Sequence, residues 1–313
     1  MNESFENDFA CYLHYDDTPR RPVRAHRGRR ARRHGARRFF ARCCGALCLC
    51  AGAGLLAWMW PAPPVFAPYS GVKIDGASAS ASLGGEWNAE TRVGIEALAA
   101  AHPEVQPMLD DPSRWPADVA ALLARNEESL EFVLAYPGLA GAAPPDTVEE
   151  AARGSFPVLL QWDTRWGCAS YAGSILAITG CGPTALSVVA CGLTGDASRT
   201  PAAIAAWAQR EGYSDASGTS WELMRSGCEH FGLYAQELSL TEAAVFGALE
   251  AGRPIICSMR PGDFTTAGHF IVLIGVQDGQ LRVVDPNSPA RSAMLWEYSR
   301  LAPQIKNLWA YTA

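Results

Sequence analysis

The stretch ITGCGPTALSVVA, residues 178–190, sets Cys181 between two glycines and ahead of a proline and an apolar run of small residues. A cysteine serves as a nucleophile when its thiol pKa is lowered, a base lies within reach and a third group orients that base. The first condition has a local source. Proline is tolerated in the first turn of a helix, where its missing N–H costs nothing, so Gly182-Pro183 predicts a helix start. A thiolate at that end meets unpaired backbone N–H groups and the positive end of the helix dipole. Gly180 and Gly182 permit a tight turn and the close approach of a substrate backbone. Taken alone, Cys181 reads more often than not as a small buried hydrophobe. Cys191, further along the same helix among apolar residues, fits that description better.

Bases are scarce. Beyond residue 60 the histidines are His102, His230 and His269. His102 ends one predicted helix and His230 lies in the last turn of another, where an imidazole favours the dipole; both read as structural or surface residues. His269 stands directly before FIVLIGV, the most apolar strand of the chain. A titratable side chain at a strand's mouth is a common place for catalysis, with a hydrogen-bonded core histidine as the alternative. Asp278-Gly279 is a strong two-residue hairpin signal, and the returning strand ends at Asp285, so His269 and Asp285 share one end of the ladder. A simple turn, however, sets Asp285 opposite Val272, three residues from His269 and roughly 10 Å along the strand. Direct contact then requires a bulge or a displaced loop. Asp285-Pro286-Asn287-Ser288 is otherwise readable as a turn. Gln161, in LLQWDTRWG, is a fourth candidate. Its amide could donate to a developing oxyanion together with the Cys181 backbone N–H, although surface glutamines far outnumber catalytic ones.

These residues need elements to position them. From residue 156 onward the pattern is FPVLLQWD as strand or extended chain, then helices opening at Gly182-Pro183, at Thr200-Pro201, at Ser220 (to about Glu229) and at Thr241, the last stopped by Gly252. Strands follow at RPIICSM and in the 269–285 hairpin. Helices first and strands later predict an α+β fold, a helical lobe packed on an antiparallel sheet, over residues 151–313. Upstream, residues 87–150 read as a helical spacer or accessory segment without chemistry of its own. Asn88 caps its first helix, Pro116 begins the next, and Pro137-Gly138 follow its end. Residues 61–86, rich in Pro, Ser, Ala and Gly, read as a linker.

The formal charge of −6 averages two unlike parts. Eleven arginines and no acids fill residues 20–42, whereas residues 61–313 carry 15 basic and 27 acidic groups. The arginine block abuts the uncharged run CCGALCLCAGAGLLAWMW, residues 43–60. That length is near the lower limit for a membrane span, with Trp58 and Trp60 suited to the far interface. The expectation is therefore a single-pass anchor, a basic tail of residues 1–42 in the cytoplasm and an extracytoplasmic C-terminal part, rather than a nucleic-acid-binding arm. Of ten cysteines, Cys168, Cys181, Cys191, Cys228 and Cys257 lie beyond the span. Pairing the other four would leave Cys181 as the odd thiol. None has paired C-x-x-C spacing, so a structural zinc site is not expected.

In order, QWDTRWG, GCGPTAL, GTSWEL, GHFIVLIG and VVDPNS make residues 156–311 resemble the stand-alone branch of the bacteriocin-processing peptidase family, papain-like cysteine peptidases related to domains that cleave double-glycine leaders. The resemblance implies a papain-like fold with Cys181 as nucleophile, His269 as general base and acid, Asp285 as orienter and Gln161 as oxyanion donor. It also implies a peptide or protein substrate and no metal or organic cofactor. LLARNEESLEFVLAYP similarly resembles a helical region found upstream of such domains in bacterial surface proteins. Leader-processing members are joined to an exporter, and nothing here resembles a transporter core or a phosphate-binding loop. A cell-wall peptide hydrolase or transpeptidase using the same site, and an inactive binding module on the same fold, remain open at this level. Nothing in the sequence sets an oligomeric state.

Overall fold

The computed structural model describes residues 86–313. The basic tail, the apolar span and nearly all of the linker lie outside the described residues.

Four helices come first. Asn88 caps α1 (Ala89–Ala101), its side chain accepting the Thr91 N–H, as a cap residue should. α2 (Gln106–Asp110) and α3 (Ala117–Arg125) follow, α3 starting directly after Pro116. Asn126 separates α3 from α4 (Leu130–Leu139). Pro137 and Gly138 do not follow α4; they lie inside its last turn. Proline leaves the carbonyl four residues back without its helical donor, and the Trp115 indole N–H fills that vacancy, donating to the Val133 carbonyl at 2.6 Å.

The rest of the described chain builds one sheet with helices against it. A short hairpin of β1 (Ser170–Tyr171) and β2 (Ser174–Ile175) leads into α5 (Leu176–Thr179) and α6 (Cys181–Thr194). Thr200 caps α7 (Pro201–Arg210) through the Ala203 N–H. Another small hairpin joins β3 (Ser214–Asp215) to β4 (Gly218–Thr219), and Ser220 caps α8 (Trp221–Arg225), which tightens into a 3₁₀ turn over Gly227–Phe231. Next come β5 (Tyr234–Glu237), α9 (Glu242–Glu250), β6 (Ile255–Met259), β7 (His269–Gln277) and β8 (Gln280–Val284). The chain closes with α10 (Pro289–Ala293), β9 (Leu295–Trp296), α11 (Tyr298–Leu301) and β10 (Ile305–Thr312).

The antiparallel order β5-β10-β6-β7-β8-β9 sets His269 on an inner strand. Alternation divides the sheet by face. Ile256, Phe270, Val272, Val284 and Trp309 join the α6 side chains in one cluster, whereas Ile255, Cys257, Ile271, Leu273 and Val283 join Val245 and Leu249 of α9 in another. α6 is buried from Cys181 to Gly192, as expected of a helix that is apolar all round. A third cluster draws on α1–α4 and also takes in Trp162, Ile175, Ala177 and Ile178, so the helical segment packs on the turn that precedes Cys181. The Phe132 ring of α4 presses on Gly167, where a Cβ would come 2.6 Å from the ring.

Candidate active site

Asp278 and Gly279 both adopt positive φ, 53° and 75°, the requirement of a tight hairpin turn matching the strand twist. From that turn Gln277 pairs with Gln280 and Gly275 with Arg282, but Leu273 then pairs with Val283 and Val272 with Val284. One extra residue, Ile274, is thus accommodated in β7 as a bulge. Continued one residue, this register sets Asp285 opposite Ile271 rather than Val272. Because side chains alternate, the single-residue slip moves Asp285 onto the face that His269 occupies and shortens the separation to two residues. His269 Nε2 and Asp285 Oδ1 are 2.7 Å apart, with both residues buried.

The Asp285 carboxylate is fully engaged. Oδ1 also accepts the Asn287 N–H at 2.8 Å, and Oδ2 accepts from Arg291 Nε. The Asp285 N–H donates to the Ser292 hydroxyl at 2.8 Å. Burial alone would raise the Asp285 pKa; the interactions with His269 and Arg291 outweigh it and hold the carboxyl below its ordinary range. An ionised carboxylate only accepts hydrogen bonds, so Nε2 of His269 carries the proton and Nδ1 is the nitrogen left to act as base.

Gln161 links the two halves of the site. Its backbone N–H donates to the Pro286 carbonyl at 2.7 Å, and its amide donates to the Ala177 carbonyl at 2.9 Å and more weakly to that of Ile178 at 3.3 Å. Gln161, Ala177, Ile178, His269, Asn287 and Arg291 all line one cavity of about 280 Å³. Cys181 does not line it. It lies three residues beyond Ile178 as the first residue of α6, fully buried, and α6 packs on β7. Gly182 has a packing requirement: a Cβ there would come 2.5 Å from Thr219 Oγ1, which is held by the Tyr171 hydroxyl at 2.8 Å.

The pairing that would tie up the other four cysteines is not formed. Cys168, Cys191, Cys228 and Cys257 are free thiols, and burial pushes the first three up to about 11 and Cys257 further still. Each is satisfied where it sits or packed in apolar surroundings; Cys228, for example, faces the Arg225 and Leu233 carbonyls at 3.5 Å.

Among the described residues, the other two histidines stand apart from this cavity. His102 pairs with Glu127 at 2.7 Å, and His230 stacks on Trp207 with centroids 4.3 Å apart. Arg291 and Asn287 escaped the sequence reading, although Ser288-Pro289 is a helix-start signal that places Arg291 in the first turn of α10, close behind Asp285. Among the described residues no cluster of His, Cys, Asp and Glu is arranged to hold a metal ion.

A family model described as a Peptidase_C39 like family matches residues 154–313. Among solved structures, the peptidase domain of Streptococcus ComA, titled a bi-functional ABC transporter involved in a quorum sensing pathway, is 19% identical over 42% of this chain and 89% of that chain, with a TM-score of 0.35. No curated protein matches.

Proposed function

Because the chain belongs to the Peptidase_C39 like family and is accordingly a cysteine-type peptidase, we propose that it cleaves peptide amide bonds through Cys181, His269, Asp285 and Gln161 on a papain-like fold. The observation that supports this most strongly is the buried His269–Asp285 pair, 2.7 Å apart, with His269 lining a cavity that Gln161 and Ile178 also line, Ile178 standing three residues before Cys181. His269 Nδ1 takes the Cys181 proton, and the thiolate is stabilised by the N-terminal end of α6. The thiolate attacks the carbonyl carbon of the substrate. The oxyanion draws on the Cys181 backbone N–H and on Gln161, whose amide nitrogen must then share a hydrogen now given to the Ala177 carbonyl. His269 protonates the leaving amine, and water activated by the same imidazole releases the acyl group.

The arginine block and the apolar run of residues 43–60 support a peptidase tethered by a single span with its catalytic part extracytoplasmic. Release of the full chain from membranes by alkaline extraction would contradict the tether. Hydrolysis is tested with the reduced full chain on a peptide library. Cys181→Ala and His269→Ala are each expected to reduce cleavage at least about a thousandfold. Cleavage surviving Cys181→Ala would remove that residue as the nucleophile.

A further inference from the structure

We infer that the helical segment of residues 87–139, which lies outside the family-matched residues, is a working part of the catalytic site: it forms one wall of the substrate cleft, and Asn126 is a positioning residue for Asp285. This rests on the peptidase reading above. The cavity beside His269 is bounded on one side by Leu122, Arg125 and Asn126 at the end of α3, and on the other by Phe264 and Thr265 in the loop leading to β7. A peptide reaching His269 passes between these two walls.

The hydrogen bonds carry the argument further. Asn126 Nδ2 donates to the Asn287 carbonyl at 3.0 Å and to its Oδ1 at 3.2 Å. The Trp162 indole donates to the same Oδ1 at 3.1 Å. Held in this way, Asn287 turns its own N–H onto Asp285 Oδ1, the oxygen that His269 uses. Two residues on, Glu128 Oε1 accepts the Ala290 N–H at 3.0 Å, fixing the first turn of α10 beside Arg291, the other partner of Asp285. Both of the groups that share Asp285 with His269 are therefore tied to the turn at residues 126–128. The Asn126 amide is used at both ends, since its Oδ1 accepts the Glu128 N–H. That turn exists because the chain breaks its helix at Asn126, with φ −140° and ψ 91°.

The test uses the reduced full chain and Asn126→Ser, which keeps a cap acceptor for the Glu128 N–H but cannot reach Asn287. Iodoacetamide alkylation of Cys181 is followed against pH by mass spectrometry, beside kcat and KM for the library peptide that the parent chain cleaves best. The expected result is a kcat roughly tenfold or more lower, a KM within about threefold, and a Cys181 alkylation profile displaced in the direction that His269→Ala displaces it. A profile and a kcat equal to the parent's would overturn the inference. If His269→Ala itself leaves the profile in place, the Cys–His reading fails. If it moves the profile and Asn126→Ser does not, this inference alone fails. Should Asn126→Ser not fold, Glu128→Ala is judged by the same measurements and the same outcomes.

Discussion

At the scale of single residues the site turns on how Asp285 is held. Its carboxyl sits below the ordinary value of 3.8, because His269 and Arg291 outweigh the cost of burial. A depressed folded pKa means that Asp285 contributes its full stabilisation above the ordinary value and loses it as pH falls through the lower folded one. Arg291→Met removes the guanidinium. Asp285 then titrates higher, acid unfolding begins at a higher pH, and neutral-pH stability falls by about 1–3 kcal/mol. Urea unfolding at neutral and acidic pH reads both effects, and an unchanged midpoint at both would contradict this account of the carboxylate. Residue type and local pattern make Cys181, His269, Asp285 and Gln161 candidates, and of these the structure pairs His269 with Asp285 and sets Gln161 on the same cavity as His269. Arg291, Asn287 and Asn126 were not candidates, because each acts through a contact that depends on tertiary placement; Asn126 and Asn287 are 161 positions apart.

At the scale of elements, the helix starts were the most legible features. Asn88, Thr200, Ser220 and Thr241 each cap the helix they announce, since a cap is a local hydrogen bond written in the sequence. The β7–β8 bulge was named only as a requirement, because the turn at Asp278-Gly279 fixes where pairing begins but not where an extra residue is absorbed. β5 and β10 went unread, and β10 lies between β5 and β6 in the sheet. Pro137 misled for a definite reason: a distant tryptophan takes up the carbonyl that proline strands. The start of α6 gives a test at this scale. Gly182→Ala sets a Cβ against Thr219 Oγ1, Cβ and Cγ2, at 2.5–2.7 Å, and neither the threonine stem nor the helix backbone yields easily. The variant is expected to lose about 1–3 kcal/mol and, because the strain falls beside Cys181, to show slower alkylation there. Thermal unfolding equal to the parent's would mean that α6 and the β3–β4 hairpin separate without cost.

At the scale of the whole molecule, the helical segment and the family-matched region share a core. Trp162, Ile175, Ala177 and Ile178 are buried with Trp115, Leu123 and Phe132, so the segment is packed against the site and does not stand off as a tether. A chain that begins at residue 154 would bare this apolar face, and exposed patches of that kind promote association. It is expected to aggregate or to bind a hydrophobic dye, whereas a chain beginning at residue 86 unfolds in one cooperative transition. A monomeric, cooperatively unfolding 154–313 fragment would contradict that view of the core. Composition had suggested a boundary near residue 150, yet Val148 is buried in the α6 cluster and its N–H donates to the Ala197 carbonyl at 2.8 Å. Polar, proline-rich stretches mark a loop in sequence, but they do not reveal what the loop packs against.

We propose that Cys181 reacts as a thiolate paired with His269. Alkylation of the reduced full chain by iodoacetamide, followed at Cys181 across pH in the parent and in His269→Ala, tests it most directly. The expected apparent thiol pKa lies well below the ordinary value of about 8.5 and is displaced upward when His269 is removed. A value near 8.5 that His269→Ala leaves unchanged would contradict it.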